Sequence, residues 1–368
     1  MNSLPQLVSH RNWVLHDYMQ VNGGAERLVS TIVRGIPDFS LGVSGVYPGF
    51  LESADLSGIN LKLLGQLPKW LPRIPKALLT FGRRIPCIEN IDTVIYSGIY
   101  TPLAVKSQKA GRRIYYCHTP PRFAFDRKNQ YLEKLPISAR RLVSVAIDAY
   151  CQAYKSAVDE MDVILTNSDH VRKRLGEQLG VDAYVVCPPV DINAFKWQAQ
   201  GDYYLSLGRL EPNKRVDRVV KAFIKMPEKK LIVASGGSEF ETLRNLAMEA
   251  PNITFVGWSS DKQLIDLIAN AIACIYIPLD EDFGMSAIEA MAAGKPVIGV
   301  AEGGMLETVL DGHTGILLPS NPDIEQIAAA VLDMTAHLAL SMRECCEQRA
   351  MDFTEERFLE QISSFVSG

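Results

Sequence analysis

No apolar run in this chain approaches the roughly 18 residues that a membrane-spanning helix needs, so no such helix is expected within it. Seven cysteines are present, an odd number: Cys87, Cys117, Cys151, Cys187, Cys274, Cys345 and Cys346. They are scattered and include no C-x-x-C pair, which argues against a disulfide framework or a zinc site and for a reducing cytosol. The histidines His10, His16, His118, His170, His313 and His337 show no ligand spacing either. No metal and no cofactor are therefore expected. Residues 1–10 lack the basic-then-apolar order of a secretion signal, so a cytoplasmic location is expected. There is no G-x-G-x-x-G, which weakens a dinucleotide or dehydrogenase reading. No internal repeat or low-complexity tract is visible, and nothing points to nucleic acid as a partner.

What is present is an ordinary globular composition: 368 residues, 47% hydrophobic and 22% charged, enough for roughly two domains. The net charge of −4 hides an asymmetry. Residues 1–190 hold 23 Lys+Arg against 16 Asp+Glu, whereas residues 191–368 hold 15 against 26. A basic first half suits an anionic partner.

Strand patterns recur at residues 41–46, 93–96, 113–117 and 163–166, with helical patterns at 138–157 and 170–179. Adjacent Pro188 and Pro189 break this series. A second series begins at Tyr203 and continues through residues 230–234, 253–256, 273–277 and 296–300; residues 324–367 read as helical. Alternating strands and helices predict an α/β protein of two doubly wound parallel sheets. The reading gives domains at 1–188 and 189–350 facing a central cleft, followed by a C-terminal helical stretch at 351–368. Ligands of open parallel sheets bind beyond the strand C-termini, and each motif below follows a predicted strand.

The most informative stretch runs from Glu281 through Phe283, Gly284, Met285 and Ser286 to Glu289. Two acids lie eight positions apart, with a helix start between them. Ser286 and Glu289 read as a capping box. A helix N-terminus can hold phosphate, and flanking carboxylates can accept hydrogen bonds from sugar hydroxyls. Arg209 and Lys214, after the strand at Tyr203, could clamp a diphosphate. Gly23 and Gly24 let backbone approach a second phosphate. His118 ends a strand before two prolines, and Arg122 follows as a possible acceptor contact, with Asp17 after the first strand. Gly257 and Trp258 end a strand where a base could stack. Plainer readings stand beside each of these: Glu289 as a cap, surface cations, a glycine turn, a structural histidine, core packing. Basic and apolar residues interleave around Lys69, Trp70, Arg73 and Lys76, which fits either an anionic membrane surface or a solvated face.

With these residues assembled, the chain resembles retaining glycosyltransferases of the GT-B fold, family 4. Glu281 and Glu289 match that family's acidic motif, Arg209 and Lys214 its diphosphate pair, Gly23 and Gly24 its glycine loop, and His118 its active-site histidine. The Cys-His-Thr-Pro-Pro-Arg stretch at 117–122 is more particularly similar to mannosyltransferases of O-antigen and capsule assembly. The resemblance implies transfer of a hexose, mannose from GDP-mannose first, to a glycan or polyprenyl-linked acceptor without metal. It implies Glu281 and His118 at the sugar, with Glu289 at the ribose, and a C-terminal helix at 351–368 that crosses back to the first domain. The leaving diphosphate would meet Arg209, Lys214 and the amides of residues 284–286. Other nucleotide sugars, a UDP-sugar 2-epimerase-like enzyme and a non-catalytic nucleotide-binding module remain as alternatives.

Overall fold

The computed structural model describes residues 11–21, 23–51, 57–68, 70–85 and 91–368. Residues 1–10, Lys69 and Cys87 lie outside the described residues. The chain divides into two compact units, Met1–Pro188 with Phe358–Gly368, and Pro189–Arg357.

The first unit is built on a seven-stranded parallel sheet of order β3-β2-β1-β4-β5-β6-β7. The strands are β1 (Asn12–His16), β2 (Phe39–Val43), β3 (Leu61–Leu63), β4 (Thr93–Ser97), β5 (Arg112–Cys117), β6 (Val163–Thr166) and β7 (Tyr184–Val185). Side chains alternate between its faces. Trp13, Leu15, Tyr96 and Tyr115 enter one core, and Val14, Leu41, Ile95 and Tyr116 enter the other. Burial on both faces explains why these strands read as continuous apolar runs. Phe358 and Ile362 of the C-terminal helix Glu355–Ser367 complete the second of these cores. Strand order reverses between β1 and β4, a switch point of the kind that opens a crevice at strand C-termini. His16, Ser97 and His118 stand at that edge, with His16 directly opposite Ser97 in the ladder.

The second unit carries a six-stranded parallel sheet of order β10-β9-β8-β11-β12-β13. Its strands are β8 (Tyr203–Ser206), β9 (Lys230–Ala234), β10 (Ile253–Gly257), β11 (Cys274–Ile275), β12 (Val297–Val300) and β13 (Gly315–Leu318). The strand expected over 273–277 pairs at Cys274 and Ile275, and Tyr276 N continues the ladder to Ile298 O at 2.9 Å before Pro278, which has no N–H to donate. The helical run expected over 324–367 is four helices and a 3₁₀ turn.

Candidate functional site

In the second unit the chain leaves β8 through Gly208, whose φ is +105°. It enters a 3₁₀ turn at Pro212–Lys214. A Cβ at Gly208 would sit 3.0 Å from the Tyr276 ring. That close approach lets Lys214 reach under the next strand end. Its Nζ lies 2.6 Å from Glu281 Oε2 and donates to the Tyr276 hydroxyl at 2.9 Å. The Lys214 and Glu281 side chains are 13% and 19% exposed. Tyr276 is buried, and burial raises its phenol well above the usual value, so it stays neutral and accepts from the ammonium. A pair this far from water is held while both charges remain, and losing one leaves the other desolvated. Arg209, five residues before Lys214, faces solvent and has no carboxylate partner among the described residues.

The loop bearing Glu281 leads to the helix Met285–Ala292. Its N-cap is Gly284, at φ +96°. The capping box expected from Ser286 is therefore corrected: Ser286 is already the second helical residue. Gly284 has no side chain to cover the first-turn amides, which favours an anion there. Glu289 is buried on this helix among alanines. Phe283 is core, set edge-to-face on Phe353 at 5.7 Å. Two glycines that the sequence reading passed over fix the loop. Gly304 N donates to Glu281 O at 2.8 Å, and a Cβ on Gly303 would lie 2.4 Å from that same oxygen. Arg215, also passed over, is buried at φ +54° and pairs with Glu302 at 2.8 Å while donating to Pro278 O. It ties three strand-end loops behind Lys214. Trp258 is 72% exposed, its indole edge lying on Gly236. With Gly257 it forms an open face at the end of β10.

In the first unit, His16 Nδ1 is 3.1 Å from Ser97 Oγ, and Ser97 Oγ is 2.8 Å from His118 Nε2. Asn167 Nδ2 holds the His118 carbonyl at 2.9 Å. Desolvation lowers His16 to about 4 and His118 to about 3, so both rings are neutral near pH 7. A serine hydroxyl has one proton. It donates to one imidazole and accepts from the other, so the two tautomers are coupled. If His16 Nδ1 carries a proton, His118 Nδ1 is a donor; if not, His118 Nδ1 is an acceptor.

Asp17 is engaged by the backbone of the loop that follows β4. Its carboxylate takes three amides, Ile99 N at 2.8 Å, Tyr100 N at 2.9 Å and Thr101 N at 3.0 Å, and so shapes the loop after β4. Burial, opposed by these donors, raises it to about 7. Gly98, at φ +128°, allows the approach; a Cβ there would lie 2.5 Å from the carboxylate carbon. Arg122 is likewise engaged, by Asp126 at 2.6 Å. Gly23 caps the helix Gly24–Gly35 in an extended conformation. The Glu26 carboxylate stands 2.9 Å from where a Gly23 Cβ would be, a negative charge that competes with any anion at this N-terminus. In the basic segment Trp70 is 80% exposed, and the Arg73 guanidinium lies over the Tyr18 ring. Lys76 is half-buried on the helix Arg73–Leu79.

Residues 190–350 match the family model of the glycosyl transferases group 1. A D-inositol 3-phosphate glycosyltransferase of Mycobacterium marinum (strain ATCC BAA-535 / M) is 34% identical over 203 residues, covering 48% of this chain and 43% of the relative. The chain thus spans less than half the length of that curated relative. Among solved structures, Anabaena Alr3699/HepE in complex with UDP and glucose aligns over 98% of this chain and 100% of its own, with TM-score 0.73 and 17% identity. Sucrose-phosphate synthase from Thermosynechococcus elongatus aligns over 96% and 98%, with TM-score 0.75 and 18% identity. The fold is that of the GT-B glycosyltransferases.

Proposed function

We propose that this chain is a retaining hexosyltransferase that moves a sugar from a nucleoside diphosphate to an acceptor hydroxyl. The observation that carries the reading is the Lys214–Glu281 pair beside a glycine-capped helix, within the segment that matches the group 1 family. The bond from the anomeric carbon to the diphosphate breaks, and one to the acceptor oxygen forms on the same face. The acceptor's proton passes to the leaving phosphate. Negative charge grows on that phosphate, where Arg209, Lys214 and the amides at Gly284–Ser286 act more strongly than in the ground state. When the diphosphate takes Lys214, Glu281 is released to accept hydrogen bonds from the sugar. Glu289 is assigned to the ribose and His118 to the transferred sugar. In this scheme the cations and amides stabilise the leaving group without a metal.

Mannose from GDP-mannose is the donor we set first, with a glycan or polyprenyl-linked acceptor in cell-surface polysaccharide synthesis. A UDP-sugar is the second reading, favoured by the Anabaena neighbour, which was solved with UDP and glucose. The test is an NMR-monitored transfer assay with GDP-mannose and UDP-glucose, each with and without EDTA. Retained anomeric configuration and unchanged rate in EDTA are expected. An inverted product would refute retention, and lost activity would refute metal independence.

A further inference from the structure

The helix Ile137–Val158 is the longest among the described residues, and the fold uses one of its faces. Ile147, Tyr154, Ala157 and Val158 are buried on that face. The Tyr154 and Tyr115 hydroxyls share a hydrogen bond at 2.7 Å, and the Tyr150 hydroxyl donates to Ile99 O. These contacts anchor the helix to the first unit. The opposite face carries Leu142 at 75% exposure and Val145 at 62%, with Ala146, Ala149 and Ala153 exposed beside them. Spacings of three and four place these five residues in one stripe. An apolar stripe on the water side of an anchored helix points to a partner.

The stripe is self-complementary. Reversing the helix about the midpoint between Val145 and Ala146 lays Leu142 on Ala149 and Ser138 on Ala153. Each large side chain then meets a small one, so two antiparallel copies can interlock with their axes close together. A two-fold interface requires this, because one patch must fit itself. The charges obey the same symmetry. Arg141 and Asp148 lie seven positions apart, and so on one flank of the stripe. An antiparallel two-fold sets that flank against its own copy. The partner's Asp148 then falls two residues, about 3 Å along the axis, from the point opposite Arg141, within reach of a guanidinium. Arg141 is exposed and has no carboxylate partner among the described residues. Asp148 is 63% exposed; its Oδ1 accepts from Lys128 at 2.5 Å, which leaves Oδ2 for a second donor.

We propose that this face binds a second copy of the chain: the helices Ile137–Val158 of two protomers pack antiparallel about Val145 and Ala146, and Arg141 of each pairs with the partner's Asp148. Residues 138–153 span about 24 Å, a single helix face and a small contact for a stable complex. The dimer is therefore weak and reversible, and forms at micromolar chain concentrations. The ion pairs lie at the rim, where they set register more than affinity. The proposal goes beyond the transferase reading and stands whether or not the chain transfers a sugar.

The experiment is sedimentation equilibrium of the intact chain from low to high micromolar concentration, alone and as Val145→Asp, Arg141→Asp and Asp148→Arg. All three positions are exposed, and circular dichroism with thermal melting checks that each variant is folded. A monomer–dimer equilibrium is expected for the native chain. Val145→Asp, which sets two carboxylates at the two-fold, should weaken it at least tenfold, and each charge variant should weaken it severalfold. An equimolar mixture of the Arg141→Asp and Asp148→Arg chains should dimerise again, because each then carries the charges that the other lacks. A native chain that stays monomeric throughout, or a dimer of native strength in Val145→Asp, would overturn the proposal. A mixture that fails to recover would overturn the antiparallel register. Flotation with phosphatidylglycerol vesicles tests the other occupant: a monomeric native chain that binds vesicles, and loses them in Val145→Asp, would assign the face to lipid and overturn self-association.

Discussion

The role proposed for the first unit depends most on Ser97. Its hydroxyl joins His16 to His118 and couples their tautomers. Ser97→Ala removes that coupling without crowding the sheet. We expect transfer to fall by about tenfold or more, as for loss of a positioned catalytic hydrogen bond. Ser97→Thr keeps the hydroxyl and restores most of it, and ¹⁵N spectra of the imidazoles should show mixed tautomers only in the alanine variant. Burial also makes a pH signature. His16 and His118 have folded pKa values below the unfolded 6.5. Between that value and about 4 the unfolded chain binds the extra protons, so stability is lost as pH falls. Asp17 opposes them: its folded value lies above its unfolded one, and its contribution is lost as pH rises from about 4 to about 7. The histidines outnumber it, and the net slope favours neutral pH. His16→Gln removes one proton from that difference, about 1.4 kcal/mol per pH unit. Urea denaturation at pH 5 and 6 would measure it, and an unchanged slope would contradict the buried neutral ring.

At the scale of elements, the second unit's site is two loops pressed backbone to backbone through Gly303 and Gly304. Gly303→Ala places a methyl carbon at 2.4 Å from Glu281 O, at a φ of +59°. We expect destabilisation of about 2 kcal/mol or more by chemical denaturation, together with loss of donor binding. Wild-type stability would mean that the loops can separate freely. Much of this arrangement was legible in the sequence. β1, β4, β5, β8, β9 and β12 are apolar because both faces are buried, and strand ends then locate Arg209, Lys214, Glu281 and His118. The short strands were not legible. β3 and β7 lie at the sheet's edges and carry exposed residues such as Leu63 and Tyr184, so they lack a buried run. The capping error at Ser286 has a similar origin: a serine-to-glutamate spacing is visible in sequence, whereas a glycine at φ +96° that already ends the loop is not. The Lys214–Glu281 pair spans 67 positions. Only the fold reveals that two groups read as separate ligands of a donor hold each other. Ser97 gave no signal at all, because a lone serine closing a strand is commonplace.

At the scale of the whole chain, the last residues belong to the first unit. Phe358 and Ile362 are fully buried in its core, and the Leu359 side chain lies where a Cβ on Gly35 would go. Truncation after Arg357 removes two large core side chains, at a cost of several kcal/mol. We expect calorimetry of the truncated chain to show an early transition for the first unit and an unshifted one for the second. A uniform shift of both would contradict this assignment of the terminal helix.

The central claim is that a nucleoside diphosphate binds at Arg209 and Lys214. Its most direct test is calorimetric titration of GDP and UDP into the native chain and into Arg209→Ala and Lys214→Ala. The account predicts saturable binding of one nucleotide, weakened at least tenfold in each variant, since a charged hydrogen bond contributes about 1.5–3 kcal/mol. Binding with the same affinity in both variants, or none by either nucleotide, would contradict it.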